Sequence, residues 1–239
     1  CRDPEKTTTY GVGQLMAHAL SRGAKRLVLG LGGSATNDGG CGAAAALGAE
    51  FLDAQGRPFV PVGGTLTRIA HIRTEALRRT LGAVPVTVMC DIDNPLCGPE
   101  GAAAVFGPQK GADAAMVARL AAGLYHLAQV LARDLGAEVL TLPGGGAAGG
   151  FGAGAAAFFG GTLRMGIDTV LDTADFDRRC RDARLVITGE GHLDSQSLRG
   201  KTVIGVARRA RALGIPVAAL VGGCETALDA VYAAGVSGV

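Results

Sequence analysis

Residues 184–223 read RLVITGEGHLDSQSLRGKTVIGVARRARALGIPVAALVGG and indicate the class of fold. Apolar runs at 184–190 and 216–223 flank a polar loop and the helical pattern 203–214. Continuous apolar runs are typical of strands that are buried on both faces, as in a parallel sheet. Arginines near the end of the helical pattern and a stop at Gly214 favour a helix between the strands. The stretch therefore predicts a βαβ unit with a right-handed connection.

Similar elements precede this unit along the chain. The runs RLVLGL (26–31) and VPVTVMCDI (84–92) resemble the two strands above, and the patterns at 8–23 and 114–136 are amphipathic. A polar stretch near residue 176 precedes the βαβ unit and marks a predicted domain boundary. The sequence therefore predicts an α/β fold.

The composition excludes several functional classes. The 239 residues carry a net charge of +2, no Trp and few aromatic side chains, so neither a nucleic-acid nor a membrane surface is expected. Six cysteines form no CxxC pair, which excludes zinc-ribbon and thioredoxin-like sites and favours a reducing cytoplasm. The uncharged stretch 139–163 is too rich in glycine for a membrane span. The chain begins at Cys1 without a targeting pattern, and we expect a fragment that lacks both chain ends.

A first glycine-rich loop, GLGGSATNDGG (30–40), follows a predicted strand. Its first six residues match the GxGxxA dinucleotide fingerprint, and Glu50 or Asp53 supplies an acid about twenty positions later. Asp38, however, would face a pyrophosphate without a cation. A carboxylate there is easier to explain as a base toward a hydroxyl or as a ligand of Mg²⁺. Alternatively, Asn37 and Asp38 cap the helix that follows.

A second loop, CDIDNPLCGPEGAAAVFGPQKGA (90–112), starts where a predicted strand ends. Alternation places Asp91 and Asp93 on the same side of an extended segment, where paired carboxylates suit Mg²⁺. Turn chemistry explains the same residues equally simply. Spacing alone predicts that Lys110 is a surface lysine.

A third loop, LPGGGAAGGFGAGAAAFFGG (142–161), contains many glycines ahead of a helical pattern. Amides without side-chain obstruction could wrap a nucleotide phosphate at a helix N-terminus. Close packing through small residues explains the loop as well.

A fourth loop, TGEGHLDSQSLRGKT (188–202), lies between the strand and the helix of the βαβ unit. Its GKT ending matches a Walker A motif, but Ser195 stands where that motif needs glycine. Lys201 can still neutralise a phosphate at a helix start, and Asp194 can bind a metal or accept a proton.

The four loops, in this order, resemble the bacterial glycerate kinase family of the type that phosphorylates the 2-hydroxyl. The resemblance covers nearly the whole chain and implies an ATP-dependent small-molecule kinase with two α/β domains. It implies that residues 1–176 form an inserted mixed α/β domain. Residues 177–239 would form the C-terminal half of a Rossmann- or flavodoxin-like domain that is only partly present here.

The resemblance also implies roles for residues in the loops. Asp38 or Asp194 would be the catalytic base, Lys201 would neutralise phosphate, and Asp91 with Asp93 would hold Mg²⁺. The sequence leaves open which aspartate is the base. Substrate-binding candidates are Ser34, Thr36, Asn37 and Asn94, and candidates for binding ATP are Gly32, Gly33, Gly145, Gly146, Gly149, Gly150, Gly189, Glu190 and Gly191.

The function predicted in this way is the phosphorylation of D-glycerate to 2-phosphoglycerate, with ATP and Mg²⁺. Two alternatives use the same loops. An NAD-dependent dehydrogenase would use GLGGSA, and a non-catalytic module would bind a nucleotide or a hydroxy acid without turnover. The expected partner is a small-molecule substrate, and the sequence does not indicate an oligomeric state.

Overall fold

The structure, a computed structural model, describes residues 3–193, 202–224 and 228–239. Helices and parallel strands alternate along the chain, which confirms the predicted α/β class. The chain divides into two compact units, Cys1–Leu163 and Arg164–Val239. This division lies earlier in the chain than the boundary predicted near residue 176. That the units are an inserted domain and half of a Rossmann-like domain stays a prediction.

The first unit contains six helices and six strands among its described residues. The helices are α1 (Tyr10–Ser21), α2 (Cys41–Ala46), α3 (Glu75–Leu81), α4 (Ala102–Phe106), α5 (Ala114–Leu135) and α6 (Ala147–Phe159). The strands are β1 (Leu27–Gly30), β2 (Glu50–Leu52), β3 (Pro58–Phe59), β4 (His71–Arg73), β5 (Val86–Met89) and β6 (Thr162–Arg164), the last of which ends at the division between the units. Two short 3₁₀ helices, Gly63–Arg68 and Pro108–Lys110, lie between them.

The strands of this unit form two small sheets. One sheet has the order β1-β5-β6, and β1 runs parallel to β5 from the pair Leu27 and Val86 to the pair Gly30 and Met89. The other sheet has the antiparallel order β3-β2-β4. The apolar runs 26–31 and 84–92 are therefore confirmed as strands. Burial on both faces was wrong for β1, because Leu27 is 7% exposed and its neighbour Val28, on the opposite face, is 46% exposed.

Helix α5 carries much of the core of the first unit. Asp113 caps it by accepting a hydrogen bond of 2.7 Å from the N–H of Met116, and Gly136 ends it in a left-handed conformation. By length and composition α5 could cross a membrane. One side of the helix is instead buried in the core, as in soluble proteins, and each buried leucine contributes about 1.5–3 kcal/mol. The largest residues on that side are Leu120, Leu124, Leu127 and Leu131.

The second unit confirms the βαβ prediction. Its strands β7 (Val186–Glu190) and β8 (Val217–Val221) are parallel, and α9 (Thr202–Ala212) lies between them in sequence. Gly214 follows α9 in the left-handed conformation that the pattern predicts. Its other helices are α7 (Gly166–Thr173), α8 (Phe176–Cys180) and α10 (Asp229–Ala233).

Only one face of the β7–β8 pair is buried. Val203, Ile204 and Val217 are at most 1% exposed and belong to a single core, whereas Ile187 and Leu220 are 63% and 70% exposed. The prediction of strands buried on both faces was therefore wrong here too. Among the described residues, the apolar runs correctly indicated two parallel strands, but they did not indicate that only one face of the pair is buried.

Contacts of α9 explain why the second unit starts before residue 176. Arg209 donates one hydrogen bond of 2.7 Å to Asp172, near the C-terminal end of α7, and another of 2.7 Å to Asp177 in α8. Gly205 allows close approach of Ile167, because a Cβ atom on Gly205 would lie about 2.5 Å from that side chain. Helices α7 and α8 therefore pack with the βαβ unit that follows them.

Candidate active site

A cavity of about 630 Å³ lies at the carboxyl ends of β1 and β5. This edge of a parallel sheet is where α/β proteins bind their ligands. Three of the four predicted loops contribute to the walls. The lining residues are 31–35, 89–92, Phe106, Gln109, Lys110, Ala147 and Ala148.

The first loop supplies backbone groups to the cavity. Gly32 and Gly33 are exposed on its wall, and a Cβ atom at either position would meet nothing within 4 Å. Gly33 has a φ of 66°, which favours glycine. Ser34 is half-buried on the same wall. The other side of this loop borders an apolar groove of about 470 Å³ along α1 and β1, which Thr36 helps to line.

Asp38 does not line the cavity and is fully buried. Its Oδ2 atom accepts hydrogen bonds from the N–H of Thr9 at 2.7 Å and from the Thr9 hydroxyl at 2.9 Å. Longer bonds come from the Thr8 hydroxyl and from the N–H groups of Gly40 and Gly42. Burial raises the pKa of the Asp38 carboxyl, while the hydrogen bonds from Thr9, Gly40 and Gly42 oppose the rise.

These contacts do not support the role of catalytic base for Asp38, which stays a prediction. A general base needs a free lone pair within reach of the substrate hydroxyl. Four donors instead converge on Oδ2 of Asp38, and the N–H of Gly40 occupies one position on Oδ1, so that the carboxylate joins Thr8 and Thr9 to the start of α2. The alternative interpretation, in which Asp38 serves the start of the following helix, agrees with this geometry.

Asn37 is fully buried and does not line the cavity either. Within the described part of the chain, neither its Oδ1 nor its Nδ2 atom has a hydrogen-bond partner. Direct contact between Asn37 and a substrate in the cavity is therefore not supported by its placement.

Lys110 corrects the prediction of a surface lysine. It is 5% exposed at the end of the 3₁₀ helix Pro108–Lys110 and lines the cavity. Its Nζ atom donates a hydrogen bond of 2.7 Å to the carbonyl oxygen of Thr36. Burial lowers the pKa of Lys110 to about 8, and the negative charge of Asp38 opposes part of that shift. Sequence spacing gave no signal for this burial, since the turn that directs Lys110 inward depends on tertiary contacts.

The two aspartates of the second loop have different positions. Both are exposed, but Asp91 lines the cavity and Asp93 does not. Among the residues that the structure describes, no group of three or more His, Cys, Asp or Glu residues is arranged to hold a metal ion. Mg²⁺ is commonly held by one or two carboxylates together with phosphate oxygens and water. Asp91 fits such a site, and the position of Asp93 does not support it as a second ligand from the cavity wall.

Asn94 holds the second loop together. Its Nδ2 atom donates a hydrogen bond of 2.9 Å to the carbonyl oxygen of Glu100, and its own carbonyl accepts one of 3.0 Å from the N–H of Gly146. It does not line the cavity. The structure thus gives Asn94 a loop-stabilising position, and its contact with substrate stays a prediction.

Glycines of the third loop are packed against neighbouring backbone. A Cβ atom at Gly146 would overlap the carbonyl oxygen of Pro95, and one at Gly149 would overlap that of Thr36. Gly145 and Gly150 are also buried, and their N–H groups bond to the carbonyls of Leu142 and Gly146. Close packing accounts for these glycines in the structure, and their binding of ATP stays a prediction.

The third loop reaches the cavity through Ala147 and Ala148. Ala148 has a φ of 52° and is followed by Gly149 and Gly150 at 67° and 89°. Three consecutive left-handed residues interrupt α6 at this point. A left-handed alanine costs about 1–2 kcal/mol, and such residues cluster at functional sites.

The predicted residues of the second unit are only partly described. Gly189, Glu190 and Gly191 lie at the carboxyl end of β7, and the buried Oε2 atom of Glu190 has no hydrogen-bond partner among the described residues. Asp194 and Lys201 lie outside the described residues. The roles predicted for these five residues therefore stay predictions.

The two acidic residues that a dehydrogenase would need, Glu50 and Asp53, are engaged elsewhere in the structure. Asp53 accepts hydrogen bonds of 3.0 Å from the N–H of Gln55, the N–H of Arg57 and the Nε of Arg57 in a turn of the antiparallel sheet. Glu50 pairs with Arg73 on that sheet. Neither acid lies in the βαβ setting in which a dinucleotide ribose is bound.

Comparison with known proteins identifies the family. The family model described as "Glycerate kinase family" matches residues 1–239. The chain belongs to the glycerate kinase family. This membership confirms the resemblance carried by the four loops.

Individual members of the family are similar along the whole chain. Glycerate kinase of Halalkalibacterium halodurans is 45% identical over 235 residues, which cover 98% of this chain and 62% of that protein. Glycerate 2-kinase of Escherichia coli is 43% identical over 238 residues, which cover 100% of this chain and 62% of that protein. A crystal structure assigned to glycerate kinase 2 of Salmonella typhimurium LT2 superposes with a TM-score of 0.88 at 48% identity, and covers 100% of this chain and 62% of that one. The chain thus spans less than two thirds of the length of these family members.

Proposed function

We propose that this chain is the part of a glycerate 2-kinase that contains the cavity at the carboxyl ends of β1 and β5. The enzyme would transfer the γ-phosphoryl group of ATP to the 2-hydroxyl of D-glycerate and form 2-phosphoglycerate. Membership of the glycerate kinase family over residues 1–239 carries this proposal. The position and lining of the cavity support it, because phosphoryl transfer needs anion-binding groups and a metal ligand close together.

The described residues suit distinct parts of such a reaction. Backbone N–H groups of Gly32 and Gly33 and the hydroxyl of Ser34 would bind anionic oxygen atoms. Asp91 would hold Mg²⁺ together with phosphate oxygens and water. When bound, Mg²⁺ supplies positive charge to the transferring phosphoryl group. Lys110 would add a positive charge at the same wall, in a site where burial strengthens electrostatic interactions.

The proton acceptor is proposed to be Asp194. Asp38 is the weaker candidate, because it is buried away from the cavity and its carboxylate accepts five hydrogen bonds from the protein. Lys201, Gly189, Glu190 and Gly191 keep their proposed roles in neutralising phosphate and binding ATP. The enzyme would act in the cytoplasm on small molecules.

An assay of the full-length protein tests this function directly. The protein is incubated with ATP, Mg²⁺ and D-glycerate, and both ADP and the phosphoglycerate isomer are measured, the latter by phosphorus NMR. Equal amounts of ADP and 2-phosphoglycerate are expected, with neither formed when glycerate is left out. ADP formation at the background rate would refute the kinase, and NADH formation with NAD would support the dehydrogenase instead.

A further inference from the structure

Lys110 is a buried cation whose Nζ atom has one hydrogen-bond partner among the described residues, and the negative charge of Asp38 acts on it without a hydrogen bond between the two groups. Its Nζ atom has three donors, and the carbonyl oxygen of Thr36 accepts one of them. Within the described part of the chain, no second acceptor lies within hydrogen-bond distance of Nζ. A buried charge that is only partly compensated destabilises the fold, so a structural role alone does not explain it.

The surroundings of Lys110 favour an anionic ligand. Among the described residues it is the one cationic side chain on the cavity wall, and it faces a space also bordered by the glycine amides of residues 32–33. Its hydrogen bond to Thr36 ties it to the end of that same loop. Asp91 is the acidic side chain on the wall, and Mg²⁺ bound there would offset its negative charge.

We propose that the ammonium group of Lys110 binds an anionic oxygen of a substrate in this cavity. The inference rests on the proposed function for the identity of that substrate. The oxygen belongs either to the carboxylate of the hydroxy acid or to a phosphate of the nucleotide, and both present the same chemistry to an ammonium group. Lys110 is then a substrate-binding residue that the position of its side chain reveals and the sequence pattern does not.

Ligand binding by variants of the full-length protein tests this inference. Lys110→Met removes the charge and keeps the aliphatic stem, Lys110→Arg keeps the charge, and Lys25→Met removes an exposed charge outside the cavity. Calorimetry measures the Kd of D-glycerate, of its uncharged amide and of Mg·ADP, after circular dichroism has shown that each variant is folded. Hydrogen bonds to charged groups contribute about 1.5–3 kcal/mol, which corresponds to a loss of affinity of about 10- to 150-fold.

The expected result is a loss of this size for one anionic ligand in Lys110→Met. A weaker Kd for D-glycerate alone assigns Lys110 to the carboxylate, and a weaker Kd for Mg·ADP alone assigns it to phosphate. The amide should bind equally to wild type and Lys110→Met if the carboxylate is the partner. Lys110→Arg should lose less than Lys110→Met, and Lys25→Met should match wild type. Unchanged affinities for both anions in folded Lys110→Met would overturn the inference.

Failure of the proposed function gives a different pattern. If wild type binds Mg·ADP but forms no ADP from ATP and D-glycerate, the kinase assignment fails, while the Kd of Mg·ADP still tests Lys110. If wild type phosphorylates glycerate and Lys110→Met binds both ligands normally, the inference fails and the kinase assignment stands. Binding of neither anion by wild type would refute both.

Discussion

The Nζ atom of Lys110 lies 2.7 Å from the carbonyl oxygen of Thr36, which is 74 residues earlier in the chain. This hydrogen bond joins the two loops that follow β1 and β5. It also holds an ammonium group at the wall of the cavity, where only 5% of the residue is exposed. The same lysine therefore links two loops of the fold and places a positive charge at the wall of the cavity.

Replacing Lys110 by Met should leave the protein as stable as wild type or slightly more stable near neutral pH. Burial lowers the pKa of Lys110 from 10.5 to about 8, so folding with a charged lysine is unfavourable by about 3 kcal/mol. The substitution also loses one hydrogen bond from a charged donor, which contributes about 1.5–3 kcal/mol, so a net gain of about 0–1.5 kcal/mol is expected. Urea unfolding of wild type and Lys110→Met at about pH 7 measures this difference.

The gain should shrink as the pH rises. Above a pH of about 8 native Lys110 releases its proton, whereas the unfolded chain keeps it up to about 10.5, so the wild type gains stability over this range. Other groups near Lys110, namely Asp38, Asp91 and Cys90, are present in both proteins. Lys25→Met serves as the control. Lower stability of Lys110→Met at every pH would show that the hydrogen bond outweighs the buried charge.

The main effect of Asp38→Asn should be a lower free energy of unfolding, and not the loss of a catalytic base. With the amide oxygen of Asn in the position of Oδ2, the amide nitrogen would meet the N–H of Gly40. The donors from Thr8, Thr9 and Gly42 would bond to a neutral oxygen instead of a charged one. Leaving buried donors unsatisfied costs about 1–3 kcal/mol each, so the free energy of unfolding should fall by about 3 kcal/mol or more. Urea unfolding measures this loss.

Asp93→Asn is the matched control, since Asp93 is exposed and its substitution should leave the stability within about 0.5 kcal/mol of wild type. Full stability of Asp38→Asn combined with a kcat reduced by several orders of magnitude would restore Asp38 as the candidate base.

The sequence predicted the parallel strands and the helices that connect them, because apolar runs and glycine stops are local signals. It did not predict that Lys110 is buried or that Asp38 is enclosed by donors. Both depend on partners that are far away in sequence, such as Thr36 for Lys110 and Thr9 for Asp38. Residue type and spacing cannot show which acids and lysines of a loop face a cavity and which face the core.

The glycine-rich loops show the same limit. Gly32 and Gly149 look alike in the sequence, yet Gly32 borders open space and Gly149 is pressed against the backbone of Thr36. A phosphate-binding loop and a close-packing loop need the same residue for different physical reasons. Resemblance to a family identified the function class in this case, but it could not separate these two uses of glycine.

Gly149→Ala should be far more damaging than Gly160→Ala. Both glycines are left-handed, with φ values of 67° and 59°, so both substitutions share a backbone strain of about 1–2 kcal/mol. A Cβ atom at Gly160 meets nothing within 4 Å, whereas one at Gly149 overlaps the carbonyl oxygen of Thr36. Thermal unfolding should therefore show a further loss of about 2 kcal/mol or more for Gly149→Ala. Equal losses would mean that the loop can move apart without cost.

Asp91→Asn should weaken the dependence of nucleotide binding on Mg²⁺, and Asp93→Asn should not. The two residues have the same charge, are both exposed and are two positions apart, but of the two only Asp91 lines the cavity. Replacing a carboxylate ligand by an amide removes one negative charge next to the cation, which should raise the Mg²⁺ concentration needed for half-maximal ADP binding by about 10-fold or more. Calorimetric titration of ADP at several Mg²⁺ concentrations measures this shift in the full-length protein. Asp93→Asn should stay within about twofold of wild type, the range expected for a screened surface charge. An equal shift in both variants would indicate that the acids act through their general field, and an effect confined to Asp93→Asn would place the metal outside the cavity.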